Sequence, residues 1–330
     1  MALATLTTIA PAIQNFYDGV LLDRALPKLL HNQFGQKRPV NQKSGNIAKF
    51  RRYTASAGST APLLDGITPG SLTITVTDLT ETLEQYGGWI EYTDNVDYFN
   101  EDPVITELTQ LCGEDAATIL DKVWRDKLNA GSSVFYAGSV AGRGNVNTKL
   151  TATEFDVIRR TLADADALPF EANIKPTGGI GTTPIRSAYI CIVHPDVTYD
   201  LETILGTAFI PVSQYSNPSV AYDREVGAYK NFRFIETTNA KWWPSAGALT
   251  AATFKTTDGV NKDVYSILIL AQNAYGVTDL KGAALETIVK SKKEIGGPLE
   301  QKGTVGWKGI TGLCILQDLY MMRYEVCVSS

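Results

Sequence analysis

The residue types that most often carry catalysis are scarce in this chain. Among its 330 residues there are only two histidines, His31 and His194, and neither has the paired spacing of a histidine metal site. A catalytic base needs a positioned partner, and His194 directly precedes Pro195 at the predicted start of a helix. A helix cap or a structural hydrogen bond therefore explains His194 better than catalysis does.

Motifs for nucleophilic or nucleotide chemistry are also missing from the sequence. There is no GxSxG elbow and no GxxxxGK[ST] phosphate loop, and the glycines at 178–181 lack the third glycine of a dinucleotide fingerprint. We therefore predict no catalytic residue, no metal site and no cofactor, and a protein that is not an enzyme.

The four cysteines predict buried thiols. Cys112, Cys191, Cys314 and Cys327 are widely spaced, form no CxxC pair and mostly lie in apolar runs. Such residues behave as small hydrophobic side chains in a reducing compartment, although the sequence leaves a disulfide open. The amino terminus has no basic secretory region, and the longest apolar run, residues 265–271, is too short to span a bilayer. We expect a cytoplasmic product that does not enter a membrane.

The elements that would position these residues begin with an amino-terminal arm and a long hairpin. The spacing of apolar residues predicts a helix within 9–30, and the polar stretch 31–47 predicts an extended arm that packs against nothing. Residues 48–94 predict a β-hairpin with its tip at 55–70, because Leu72, Ile74 and Val76 alternate with threonines on the return strand. Isolated hairpins need a further partner for stability, so we expect a neighbouring copy to supply it.

The rest of the chain predicts an α+β fold. A helix over 102–131 has Asp102 and Pro103 at its start and apolar residues at three- and four-residue spacing. A capping box at Thr151 and Glu154 predicts a second helix, and the glycine-rich stretch 175–184 predicts a linker. Strands near 188–193, 232–236, 265–270 and 284–289 follow, with a helix opening at Pro195.

The charges of the chain are segregated along the sequence. Residues 53–121 contain thirteen carboxylates and no lysine or arginine, whereas residues 1–52 contain eight cations and two carboxylates. Opposite patches of this kind suit an arm and a hairpin that cross neighbouring copies of the same chain, and chance clustering is the alternative. The net charge of −5 excludes strong overall affinity for nucleic acid.

The sequence resembles the major capsid proteins of tailed bacteriophages, which share the Hong Kong 97 capsid fold, and more specifically the capsid family typified by the podophage N-four. The stretches that carry the resemblance are TVTD at 75–78 with LEQYG at 83–87, EDPV at 101–104, VHPDV at 193–197 with YDL at 199–201, FIETTNA at 234–240, and AYGV at 274–277 with GTVGWK at 303–308.

This resemblance implies a division of the chain into the parts of that fold. Residues 1–47 would be the N-terminal arm and residues 48–94 the E-loop hairpin. Residues 95–185 would be the peripheral domain, with the spine helix at 102–131. Residues 186–300 would form the axial domain, and residues 301–330 would return to the peripheral domain.

The resemblance also implies a function and a set of partners. Copies would form hexamers and pentamers of an icosahedral head around double-stranded DNA, in a virion assembled in the bacterial cytoplasm. Partners would be other copies of the chain, a portal protein, the packaged DNA through weak contacts, and possible scaffolding and decoration proteins. The candidate subunit-interface residues are Arg51, Arg52, Tyr53, Leu72, Ile74, Val76, Tyr86, Trp89, Trp242 and Trp243.

Two other functions remain open at the level of sequence. An encapsulin-like nanocompartment shell would use the same fold around a protein cargo. A two-domain enzyme with a cleft within 175–260 would use the pair Trp242 and Trp243 as a ligand shelf, although an interface or core position is favoured for these tryptophans.

The lysine-free stretch generates a prediction about covalent linkage. Some members of the capsid fold join a lysine of the E-loop to an asparagine of a neighbour, and residues 53–121 contain no lysine. Particles boiled in SDS with a reducing agent should therefore give one monomer band on a gel. A ladder of covalent multimers would contradict this prediction.

Overall fold

The computed structural model describes residues 29–55, 62, 65, 71–99, 104–170, 187–215, 221–249, 253–281, 285–295 and 299–330. Four predicted segments lie wholly or almost wholly outside these ranges: the helix within 9–30, the hairpin tip, the helix start at Asp102 and Pro103, and the linker at 175–184.

The strands are β1 (Gln36–Lys37), β2 (Ile47–Ala55), β3 (Ile74–Thr82), β4 (Glu84–Thr93), β5 (Val134–Tyr136), β6 (Tyr189–Val193), β7 (Ile210–Pro211), β8 (Glu225–Tyr229), β9 (Phe232–Glu236), β10 (Trp242–Trp243), β11 (Val264–Leu270), β12 (Tyr275–Asp279), β13 (Leu285–Lys290), β14 (Lys302–Ile315) and β15 (Met321–Cys327). The helices are α1 (Asp94–Phe99), α2 (Val104–Leu128), α3 (Ala152–Asp164), α4 (Pro195–Leu205) and α5 (Lys292–Ile295).

Strand β14 organises the smaller of two large sheets. One edge of β14 pairs with β4, from Lys302 opposite Thr93 to Thr311 opposite Glu84. Its other edge pairs first with β13 and then with β12, and β1 extends the sheet in parallel from β12. This five-stranded sheet is the platform on which the longest helix lies.

Helix α2 packs on the five-stranded sheet through one stripe of buried residues. Its 25 residues give a length of about 37 Å. The stripe consists of small and apolar residues, including Cys112, Ala116, Ala117, Leu120, Trp124 and Leu128. Two indole N–H groups tie the helix to β14, because Trp124 donates to Thr311 at 3.2 Å and Trp307 donates to Asp115 at 3.1 Å. The helix predicted over 102–131 is therefore observed from Val104 to Leu128.

The larger sheet has the order β5-β15-β11-β6-β9-β8-β7, with β10 paired to β11. Its central strands β6, β11 and β15 are buried along their whole length. Helix α3 covers one face by inserting Phe155 among the rings of Tyr229, Phe232, Phe234 and Tyr324, at centroid distances of 5.4 to 6.0 Å. Thr151 caps α3 by accepting from the N–H of Glu154, as the capping box predicted. The α+β fold class is confirmed.

The structure corrects our expectation for the segment 31–47. The part that follows Leu29 packs against the body of the chain, since Leu30, His31 and Phe34 are buried. Beyond it, β1 pairs with β12, and the backbone N–H of Val40 donates to Asp279 at 2.9 Å. The prediction of an unpacked arm was wrong here because Leu29, Leu30 and Phe34 reach the core and His31 is buried beside Asp121.

The two sheets divide the chain differently from the predicted boundaries. Strands β12 and β13, placed in the predicted axial range 186–300, belong to the five-stranded sheet with β14. Strand β15, placed in the predicted return segment 301–330, lies in the middle of the larger sheet between β5 and β11. Residues 301–330 therefore serve both sheets. No helix in the described part of the chain has the length and apolarity needed to cross a membrane.

Candidate subunit interface

Strands β2 and β3 form a two-stranded antiparallel ribbon within the predicted hairpin 48–94. The predicted return leg does not continue to residue 94, because residues 84–93 form β4 and pair with β14. Nine residue pairs connect the strands, from Ile47 opposite Thr82 to Ala55 opposite Ile74. Strand β3 ends at Thr82, and after Leu83 the next strand, β4, enters the five-stranded sheet. Within the described ranges, no third strand pairs with the ribbon.

The register of the ribbon sorts its side chains onto two faces, because opposite residues share a face and neighbours along a strand alternate. The open face carries Ile47, Tyr53, Ile74 and Val76. These side chains are 56%, 64%, 68% and 48% exposed, and Leu72, just before β3, is 65% exposed. The sequence named all of these except Ile47, whose place on the face follows from the cross-strand register alone.

The opposite face, which we call the root face, attaches the ribbon to the body of the chain. Ala48 and Phe50 are buried there, together with Leu83. The ring of Phe50 lies against Gly276 so closely that a Cβ at that position would be 2.5 Å from its Cζ atom. The backbone N–H of Leu83 donates to Asn46 at 2.8 Å. The ribbon is therefore held at its base, while its open face has no cover from the described part of its own chain.

Charged side chains lock the ribbon strands together. On the open face, Asp78 accepts from Arg51 at 2.8 Å and from Lys49 at 3.0 Å. These hydrogen bonds from Arg51 and Lys49 hold the pKa of Asp78 at about 2. At the base, Lys127 of α2 donates to Glu81 at 3.0 Å. Part of the charge segregation seen in the sequence is thus satisfied inside one chain, between the cationic strand and the acidic strand.

The remaining candidates from the first half of the chain have different environments. Arg52 lies on the root face and its guanidinium is 3.4 Å from the carbonyl oxygen of Leu316. Tyr86 points toward α2 and donates to Glu84 at 2.6 Å, and burial together with this bond raises the pKa of Tyr86 to about 12. Trp89 lies on the other face of the same strand and is 67% exposed.

The tryptophan pair packs against its own chain in the larger sheet. Trp242 stacks on Tyr265 with ring centroids 5.8 Å apart, and β10 pairs with β11 beneath them. The guanidinium of Arg143 lies 3.6 Å from the centre of the Trp243 ring, and Arg143 also bonds to the buried carboxylate of Glu325. Trp242 is nevertheless 37% exposed and Trp243 is half-buried, so a role of the pair in a subunit contact stays a prediction.

The histidine and cysteine side chains have structural environments. His194 caps α4 by accepting from the N–H of Asp196 at 3.2 Å, as predicted, and burial lowers the pKa of His194. All four cysteines are free thiols, three of them buried, and burial raises the pKa of Cys112 to about 11. The described residues contain no cluster of metal-ligating side chains.

A ribbon that is fixed at its base and presents an apolar face defines a structural protein that associates with further copies of itself. The comparisons with known proteins agree with this class. A family model described as phage capsid protein matches residues 76–309. No curated protein is significantly similar to the chain in sequence. The chain belongs to the phage capsid protein family, because the match covers well over half of its length.

Solved structures share the fold at low sequence identity. The capsid of Ralstonia phage GP4 has a TM-score of 0.68 at 11% identity, over 91% of this chain and 89% of that chain. The capsid of cyanophage Pam1 has a TM-score of 0.59 at 15% identity, over 92% of each chain. The holo-SrpI encapsulin complex from Synechococcus elongatus has a TM-score of 0.54 at 11% identity, over 91% and 86%. The fold is the Hong Kong 97 capsid fold, and the protein is a major capsid protein that self-assembles into the shell of the virion.

The contact between Phe50 and Gly276 generates a prediction about the ribbon base. Gly276→Ala should displace the Phe50 ring and raise the hydrogen-exchange rates of the β2 and β3 amides, because the base of the ribbon loses its packing contact with β12. Gly144→Ala is the control, since a Cβ at Gly144 meets no atom within 4 Å. Adding Phe50→Leu to Gly276→Ala should restore part of the protection. Unchanged exchange in Gly276→Ala would show that this contact does not hold the ribbon.

Proposed function

We propose that copies of this chain form hexamers and pentamers, and that these close an icosahedral head around phage double-stranded DNA. The observation that carries the proposal is the open face of the ribbon. Apolar side chains from both strands lie exposed there, and the described part of the chain holds the ribbon at its base and leaves this face uncovered. A second copy is the partner that every assembled particle supplies.

The ribbon suits a contact in which each copy gives one surface and receives another. Such heterologous contacts close into rings when the rotation between copies permits. Burying one side chain such as Ile74 or Tyr53 contributes roughly 1.5–3 kcal/mol before the cost of association is subtracted. Several side chains per ribbon, repeated around a ring, are enough to make the ribbon a main source of shell stability.

We assign the parts of the fold on the same grounds. The ribbon of β2 and β3 is the E-loop. The five-stranded sheet, which includes β4, forms the peripheral domain with α2 as its spine, and the larger sheet with α3 and α4 is the axial domain. Residues 301–330 contribute β14 to the peripheral domain and β15 to the axial domain. Eight of the ten predicted interface residues are exposed enough for a contact with a neighbour, all except Tyr86 and Trp243, which are half-buried.

The partners beyond the chain itself follow from the head that we propose. A portal protein occupies one vertex, and scaffolding or decoration proteins assist assembly or bind the outside. Contact with DNA is weak and not sequence-specific, because the chain has a net charge of −5. Assembly takes place in the host cytoplasm, and the protein has no enzymatic activity.

The encapsulin match favours a second candidate function, a nanocompartment shell. The holo-SrpI encapsulin complex shares the fold of this chain. The content of purified particles separates the two functions. Nuclease-protected double-stranded DNA supports the virion head, and a protein cargo without DNA supports the nanocompartment.

Substitutions on the two faces of the ribbon test the proposed contact. The double variant Ile74→Ser and Val76→Ser removes apolar surface from the open face, so it should fold normally and lose most shell assembly. The matched control, Thr75→Ser with Thr77→Ser, changes the other face of the same strand and should assemble as the wild type does. Circular dichroism checks folding, and light scattering with electron microscopy measures shells. Normal shells from the open-face variant would contradict the proposal.

A further inference from the structure

A buried carboxylate joins three separate parts of the chain. The side chain of Asp121, in the middle of α2, has no exposed surface. Its Oδ1 atom accepts from the backbone N–H groups of Leu30 at 3.0 Å and His31 at 2.9 Å. Its Oδ2 atom lies 3.0 Å from Nδ1 of His31 and accepts from the side-chain amide of Asn239 at 3.3 Å. The arm, the spine helix and the loop after β9 therefore meet at one side chain.

The arm segment 29–34, which begins with Leu29, is wedged between elements of both sheets. On the side of the five-stranded sheet, the hydroxyl of Tyr275 donates to the carbonyl oxygen of His31 at 2.6 Å. On the other side, the ring of Phe34 packs edge-on against Tyr222, at 5.4 Å, and Phe170, at 5.9 Å. The arm residues that follow, β1 and Val40, pair with the five-stranded sheet.

The loop that carries Asn239 is bound to the same half of α2. The guanidinium of Arg125 donates to the carbonyl oxygen of Asn239 at 3.0 Å, and Lys241 donates to Asp126 at 2.9 Å. This loop follows β9 of the larger sheet. The carboxylate of Asp121 is thus the point at which the arm enters the junction between the spine and the larger sheet.

The arm supplies most of the hydrogen-bond and charge partners that compensate for the burial of the Asp121 carboxylate. Burial alone would raise the pKa of Asp121, but the facing His31 and the two arm N–H groups hold the pKa below its usual value. If the segment left this position, Asp121 would keep only the amide of Asn239 and would be a buried charge without adequate compensation. The arm is therefore held in one place more firmly than apolar contacts alone would hold it.

We propose that Asp121 is a positioning residue that fixes the arm segment 29–34 at the junction of the two sheets, so that the arm segment, the spine helix and the loop after β9 keep one arrangement in every assembled copy of this chain. This inference rests on the proposed assembly. One arrangement of this junction in every subunit is what a shell built from uniform contacts requires. Loss of the clamp frees the arm without removing the open face of the ribbon.

The test compares two carboxylates of α2 in the full chain. Asp121→Ala removes the clamp, and Asp115→Asn is the control, because Asp115 bonds only to Trp307 of β14 among the contacts described for it. Hydrogen exchange of unassembled protein measures the arm, and electron microscopy of assembled protein measures the uniformity of the shells. If Asp121→Ala does not fold, Asp121→Asn replaces it, because the amide keeps an acceptor and loses the charge.

We expect Asp121→Ala to raise exchange at residues 29–34 by about tenfold or more, with β14 still protected. Its particles should be open sheets or shells of mixed diameter, and Asp115→Asn should give uniform shells. For Asp121→Asn we expect a smaller rise in exchange and a smaller loss of uniformity.

Unchanged exchange at residues 29–34 would overturn the clamp, and uniform shells in spite of a loosened arm would overturn its role in assembly. The same results from Asp121→Asn, where it is the variant used, would overturn the inference in the same way. Failure of the wild type to form any shell would instead contradict the proposed function, and the exchange measurement would still judge the clamp.

Discussion

A two-stranded ribbon has two faces, and a chain that holds it at one end can cover only part of them. Here Phe50 on the root face is buried against Gly276, whereas Tyr53, Ile74 and Val76 on the open face are exposed. Exposed apolar surface on an extended element marks a contact with another molecule. The architecture of the rest of the chain follows from the need to hold such a ribbon steady at its base.

The base is rigid because β14, α2 and the arm all meet near it. The long strand β14 pairs with the continuation of the ribbon through β4 on one edge and with β12 and β13 on the other. Helix α2 crosses this sheet and binds Glu81 of the ribbon through Lys127. The buried carboxylate of Asp121 then fastens the arm and the loop after β9 to the same helix. The ribbon and the arm segment 29–34 are therefore both attached to packed secondary structure and not to a loop.

Local patterns in the sequence were enough to predict much of this structure. The alternation of Leu72, Ile74 and Val76 predicted the ribbon strand β3, and the capping residues predicted α3 and α4. Features that depend on distant contacts were not predictable. Burial of Leu30, His31 and Phe34 depends on Asp121 and Tyr275, about ninety and more than two hundred residues away. The split of the last segment between two sheets depends on the pairing of β15 with β5 and β11. Tyr86 and Trp89 lie on opposite faces of β4. Which of these two faces is covered depends on the packing of α2 against that strand.

The most direct test of the account is a photo-cross-link from the open face in assembled particles. A photoreactive residue in place of Val76 should, on irradiation, join one chain to a neighbouring chain and give covalent dimers on a denaturing gel. The same residue in place of Thr75, on the other face, should give far fewer. Cross-links confined to single chains at both positions would contradict the claim that the open face of the ribbon lies on a neighbouring subunit.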